Sequence, residues 1–106
     1  MELKIRPREN IEKVIIKEGD REVAGCILHS LDKMMILYSL FAEPEYRNKG
    51  YAIQCIKKAI EKFNDSGMTI LMAGTKVKIG QVRHIFQKCG FEEMIIGKEI
   101  ILYLRK

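Results

Sequence analysis

The spacing of apolar and polar positions changes period along the chain, and each change marks an element. Leu3 and Ile5 alternate with charged residues and Pro7 follows, which predicts a short strand ending in a turn over 7–10. Ile11 to Lys17 (IEKVIIK) is β-branched and apolar at its centre. Glu18-Gly19-Asp20-Arg21 is a hairpin turn signal, and Glu22 to His29 (EVAGCILH) reads as the next strand. Leu31-Asp32-Lys33 reads as a connection. Met34 to Ala42 (MMILYSLFA) is almost wholly apolar, which predicts a central strand covered on both faces.

Pro44 stops that strand, and the period then becomes helical. Ala52, Ile53, Ile56, Ala59, Ile60 and Phe63 recur at three- and four-residue spacing, with Gln54, Lys57, Lys58, Glu61 and Lys62 on the other side. The spacing predicts an amphipathic helix over Tyr51 to Asn64, ended by Asn64-Asp65-Ser66-Gly67. Met68 to Ala73 (MTILMA) reads as a buried strand, so strand, helix and strand form a right-handed parallel crossover. Ile79, Val82, Ile85, Phe86 and Cys89 predict a second helix, which Gly90 is placed to terminate. Phe91 to Ile96 and Glu99 to Leu104 then form a hairpin across Gly97-Lys98. The predicted order is β-β-β-β-α-β-α-β-β, an α+β (α/β three-layer) domain with a mixed sheet.

Length and composition narrow the class. At 106 residues, 47% hydrophobic and 31% charged, the chain reads as a single folded domain over 1–106, not as a disordered one. The formal charge of +5 suits a partner carrying negative charge, but basic residues are interspersed with acids. Cys26, Cys55 and Cys89 are widely spaced and do not combine with His29 or His84 at metal-ligand spacing, so no metal site is expected. Such cysteine usage predicts a reducing, cytoplasmic setting. The charged N-terminus lacks the apolar core of a signal peptide, and no apolar run is long enough for a membrane span.

The segment Phe41-Ala42-Glu43-Pro44-Glu45-Tyr46-Arg47-Asn48-Lys49-Gly50-Tyr51-Ala52 joins a buried strand to a helix N-terminus. A helix start presents unpaired N–H groups and partial positive charge. Arg47 and Lys49 add charge, and Gly50 lets a ligand approach the backbone. Together they form a phosphate cradle; the plainer alternative is a solvated, charged helix start.

Glu45-Tyr46-Arg47-Asn48-Lys49-Gly50-Tyr51-Ala52 resembles the acetyl-CoA pyrophosphate loop of the GNAT superfamily of N-acetyltransferases. That loop is usually Arg/Gln-x-x-Gly-x-Gly/Ala, and Arg47, Gly50 and Ala52 fall on its fixed positions. Pro44 and Tyr46 match the usual Pro-x-Tyr lead-in. Phe86-Gln87-Lys88-Cys89-Gly90-Phe91 resembles the family's helix-ending aromatic-x-x-x-Gly-Phe. The resemblance covers Ile11 to Leu104 and implies an acyl-CoA N-acyltransferase-like fold with acetyl-CoA as cosubstrate. It implies that the backbone of Leu40, Phe41 and Ala42 pairs with pantetheine. The N–H groups of Asn48, Lys49, Gly50, Tyr51 and Ala52 would hold the pyrophosphate, with Arg47 beside it.

Three features depart from the family. At most about ten residues separate the first two strands, too few for its two acceptor-side helices. A homodimer is the expected way to complete that side. Phe86 stands where a proton-donating Tyr is frequent, and Ile79 stands where an Asn is frequent. The catalytic residues are therefore left unassigned.

Cys26, Cys55 and Cys89 are expected to be core fillers, and His29 and His84 surface or packing residues. Tyr38 or Ser39 faces the cleft or is a satisfied core hydroxyl, and Glu43 is the nearest carboxylate. The reading is transfer of an acetyl group to a small-molecule or protein amine. The alternative is a non-catalytic CoA-binding or regulatory module. Nucleic acid is disfavoured because no strand carries stacking aromatics, and no membrane partner is expected.

Overall fold

The computed structural model describes residues 10–43, 50–73 and 79–106. The predicted strand at Leu3 and Ile5 lies outside them. β1 (Asn10–Glu18), β2 (Arg21–Leu31) and β3 (Met34–Ala42) form an antiparallel meander. α1 (Tyr51–Asn64), β4 (Ile70–Ala73), α2 (Ile79–Lys88), β5 (Glu92–Ile96) and β6 (Glu99–Arg105) follow. The sheet order is β1-β2-β3-β4-β6-β5, with β3 and β4 parallel and the other neighbouring pairs antiparallel.

Tight turns set the hairpin registers. Gly19, Asp32 and Gly97 each open a two-residue turn at positive φ, closed by Glu18↔Arg21, Leu31↔Met34 and Ile96↔Glu99. Leu31 therefore belongs to β2, because Asp32 tolerates the left-handed conformation and turns the chain one residue later than expected. β4 starts at Ile70, two residues after Met68. The Ser66 hydroxyl donates to the Phe63 carbonyl and accepts from the Met68 N–H, holding the end of α1 as a turn.

Both crossovers, β3 to β4 and β4 to β5, step the same way across the sheet. Right-handed connection then places α1 and α2 on one face. Side chains agree: Arg83 and Gln87 of α2 hold the Glu93 carboxylate, and Glu93 lies opposite Leu102 of the core. Cys55, Ile56, Ala59 and Phe63 of α1 are fully buried against Val14, Cys26, Leu28, Met35 and Leu37. Each large apolar side chain so buried contributes about 1.5–3 kcal/mol.

Of the three layers, the described residues supply two. The expectation that Met34 to Ala42 is covered on both faces is corrected: Met35 and Leu37 are buried, whereas Met34, Ile36 and Tyr38 on the opposite face are not. An apolar run shows a central strand position, but not whether a second layer exists. Among the described residues, no helix is long and apolar enough to cross a membrane.

Candidate cofactor cleft

The geometry that matters lies along β3 past its last described pairing with β4. Among the described residues their parallel ladder runs from Met34↔Ile70 to Leu37↔Ala73. β3 continues to Ala42, pairing on its other side with β2. Ser39 stands in the left-handed region at φ 55°, and β3 carries one more residue than β2 between the pairs Ile27↔Tyr38 and Gly25↔Phe41. This is a β-bulge, which bends and twists the strand carrying it. A non-Gly left-handed residue costs about 1–2 kcal/mol. The bulge thus begins two residues past Leu37, the last residue of β3 paired with β4 among the described residues.

Past the bulge, Gly25 receives Phe41. A Cβ on Gly25 would stand 2.9 Å from Phe41 Cε1 and 2.7 Å from the Val14 carbonyl oxygen. Only a residue without a side chain allows that approach. The Glu43 N–H donates to the Val23 carbonyl at 2.8 Å and continues the pairing with β2.

The start of α1 lies at the same end of the sheet. Tyr51 donates its hydroxyl to Glu18 at the end of β1, and Arg21 pairs with Glu43 at 3.9 Å. Gly50 caps α1 at φ 79°, is exposed, and has open space where a Cβ would stand. Among the described residues no side chain caps this helix start, and no acidic residue lies in its first turn. Its leading N–H groups therefore lack an intrahelical acceptor and a compensating carboxylate on the same turn. Such an end fits a pyrophosphate. Arg47, Asn48 and Lys49, with Pro44 and Tyr46, lie outside the described residues.

The other candidates separate by burial. Cys26 and Cys55 are buried on facing elements, and burial pushes their thiols up to about 12 and about 11. Cys89 is half-buried, and burial raises its thiol too. Thiols held protonated are poor nucleophiles, so these are packing residues. His84 is exposed on α2, and His29 is half-buried on the sheet face opposite α1 and α2. Tyr38 is half-buried on that same face, and Ser39 is exposed at the bulge.

Phe86 is only 1% exposed, and its ring meets Phe91 edge-on with centroids 4.9 Å apart. The Phe91 N–H donates to the Phe86 carbonyl, and the Gly90 N–H to that of Gln87, with Gly90 at φ 94°. Phe86-x-x-x-Gly90-Phe91 is thus a helix terminator and a core pair. Two features were not read from the sequence. The Ser39 bulge has no signal beyond one polar residue in an apolar run, and the Tyr51–Glu18 tie spans distant segments.

The family model of the acetyltransferase (GNAT) family matches residues 3–91. No curated protein matches the sequence. Among solved structures, the fold is similar to that of a GNAT-family acetyltransferase from Desulfovibrio desulfuricans, with a TM-score of 0.77 and 16% identity. That likeness covers 90% of this chain and 69% of the other. An acetyltransferase from Bacillus cereus superposes with a TM-score of 0.81 at 11% identity, over 100% of this chain and 80% of its own. The PaiA N-acetyltransferase of Thermoplasma acidophilum, solved in complex with coenzyme A, gives 0.74 and 16% identity over 92% of this chain and 62% of that one. With the family model spanning most of its length, the chain belongs to the acetyltransferase (GNAT) family, whose fold serves acyl transfer from acyl-CoA.

Proposed function

We propose that the chain transfers an acetyl group from acetyl-CoA to a primary amine by direct attack within a ternary complex. The observation that carries this reading is the convergence of two features at one end of the sheet. Among the described residues β3 continues past its last pairing with β4, Leu37↔Ala73, and α1 starts at Gly50 without a side-chain cap. A pantetheine arm suits the first and a pyrophosphate the second.

In this reading the backbone of Leu40, Phe41 and Ala42 aligns the arm. The N–H groups of Asn48 to Ala52, with Arg47, hold the pyrophosphate. Acetyl-CoA supplies the thioester. The amine nitrogen forms the new bond to its carbonyl carbon, the C–S bond breaks with its electron pair leaving on sulfur as the CoA thiolate, and the amine's proton passes to solvent. A backbone N–H near Phe41 or Ala42 stabilises the charge that develops on the carbonyl oxygen. Orientation supplies the rest of the acceleration.

A second reading, a CoA-binding module without turnover, is favoured by one observation. Phe86 is core, so the acid frequent at that position in the family has no counterpart there. Calorimetry with CoA, set beside acetyl-transfer kinetics over a panel of primary amines, separates the readings. Binding with turnover supports transfer. Binding without turnover on any amine supports the module. No CoA binding overturns both.

A further inference from the structure

β1 and β3 are both antiparallel to β2, so they run the same way. The last residue of β1, Glu18, therefore reaches the end of the sheet where β3 finishes and α1 starts. Side chains alternate along a strand, so Glu12, Val14, Ile16 and Glu18 share one face. Val14 and Ile16 belong to the core, and the two carboxylates flank them. Both carboxylates turn to α1. Glu12 accepts from Lys62 Nζ at 2.8 Å near the end of the helix, and Glu18 accepts from the hydroxyl of Tyr51, its first residue. We propose that Glu18 is a positioning residue for the cofactor: through the Tyr51 hydroxyl it fixes the start of α1, and with it the N–H groups assigned to the pyrophosphate.

Each link in this path is held from behind. Glu18 pairs with Arg21 across the two-residue turn that Gly19 opens at φ 63°. The β1–β2 register shifts between Ile16 and Lys17, where β2 carries one extra residue, Val23. Such a bulge strengthens the local twist. The Val23 carbonyl accepts from the Glu43 N–H, so one hairpin end touches both cofactor segments. It meets the end of β3 through backbone and the start of α1 through a side chain. The Tyr51 ring packs against the core, and its hydroxyl donates to a carboxylate, which makes the stronger kind of hydrogen bond. Ligand-holding groups keep their geometry when the residues carrying them are locked in this way. The Lys62–Glu12 pair joins the same two elements but lies at the other end of α1, between side chains that are both about 40% exposed. The inference rests on the reading of α1's start as a pyrophosphate site, and adds the residue that sets where that site stands.

Calorimetry with CoA and with pantetheine, on the full chain at one salt concentration, tests this. Tyr51→Phe keeps the ring and removes the donor. It should retain the parental circular dichroism and lose about three- to tenfold in CoA affinity. Pantetheine affinity should not change, because the arm lies along β3. Glu18→Gln keeps an oxygen acceptor and should bind CoA as the parent does. Glu18→Leu is equally uncharged but accepts nothing, and should lose as much as Tyr51→Phe. Combining Tyr51→Phe with Glu18→Leu should cost no more than the worse single change, as one shared interaction requires. Lys62→Met breaks the tie at the far end of α1 and should leave CoA affinity within about twofold of the parent. Parental CoA affinity in Tyr51→Phe, equal affinities in Glu18→Leu and Glu18→Gln, additive losses, an equal loss of pantetheine affinity, or a loss in Lys62→Met as large as in Tyr51→Phe would each overturn the proposal while leaving the cofactor reading in place. A parent that binds no CoA overturns both.

Discussion

Phe41 lies with its ring against the bare backbone of Gly25, where a methyl group would come within 2.9 Å of Cε1. This contact sets the direction of β3 after the bulge at Ser39, on the stretch expected to align pantetheine. Gly25→Ala would drive a Cβ into the Phe41 ring and, at 2.7 Å, into the Val14 carbonyl. The carbonyl belongs to a paired strand and cannot swing aside as a side-chain end can. We expect a loss of about 1–3 kcal/mol in stability by denaturant melts. CoA affinity should fall as well. Unchanged stability would show that β1 and β3 yield freely at this point.

Gly50 has two jobs that substitutions can separate. Its φ of 79° disfavours any residue with a Cβ, and its open surroundings leave room for a ligand. Gly50→Asn keeps a residue that tolerates the left-handed region, whereas Gly50→Val combines strain with bulk. The valine variant should remain folded, at a cost of about 1–2 kcal/mol, and lose CoA affinity by at least about tenfold. The asparagine variant should keep more of the stability while still binding CoA less tightly than the parent. Calorimetry showing parental affinity in Gly50→Val would sink the cradle.

If the uncapped start of α1 reads phosphate, CoA should bind at least about tenfold more tightly than pantetheine. Added salt should erode that advantage, because screening acts on the charged end and not on the arm. Pantetheine binding as tightly as CoA would move the recognition away from Gly50 and onto β3.

How far the sequence carried these arguments depended on the kind of signal. The helix over Tyr51 to Asn64 was legible end to end, because Ile56, Ala59 and Phe63 leave no other period and Gly67 follows the turn that closes it. The hairpins were legible from Gly19 and Gly97, whose positive φ is what glycine permits. The lesser burial of the sheet face opposite α1 and α2 among the described residues was not. Met34, Ile36 and Tyr38 are apolar whether or not a second layer covers them. Ser39 adopts φ 55° without being glycine, asparagine or aspartate, so nothing local announces the bulge. Within the site, the start of α1 was legible as a motif. The β3–β4 register depends on tertiary pairing, which no single segment encodes.

The buried thiols give a pH-dependent expectation. Burial raises Cys26 to about 12 and Cys55 to about 11, and the Cys55 charge adds to the rise at Cys26. An unfolded thiol ionises near ~8.5. The unfolded chain therefore releases these protons first. The stabilisation is complete below the unfolded value and is lost as pH rises toward 11 and 12. Alkaline melts should show this loss, and replacing both residues by alanine should flatten that part of the profile. In the native state at neutral pH, a thiol reagent should modify half-buried Cys89 before either buried cysteine. Rapid native modification of Cys26 would contradict its burial.

Phe86→Tyr tests what its position does. A hydroxyl added to a ring that is 1% exposed and packed edge-on against Phe91 would enter the core without a designated partner. Leaving it unsatisfied costs about 1–3 kcal/mol, which a lowered melting midpoint would report. A cleft-facing ring would behave in the opposite way, since a positioned general acid is worth about 10²- to 10⁴-fold in rate. The acid is not indispensable to the chemistry: a thiol with a pKa near ~8.5 is an acceptable leaving group as the thiolate. Turnover, where it occurs, should therefore show no gain from the tyrosine, and the variant should be less stable than the parent. A faster and equally stable Phe86→Tyr enzyme would take the residue out of the core and place it beside the cofactor sulfur. A slow parent whose rate ignores this change would locate its catalysis in orientation and backbone N–H groups, the contributions that β3 and its bulge are placed to make.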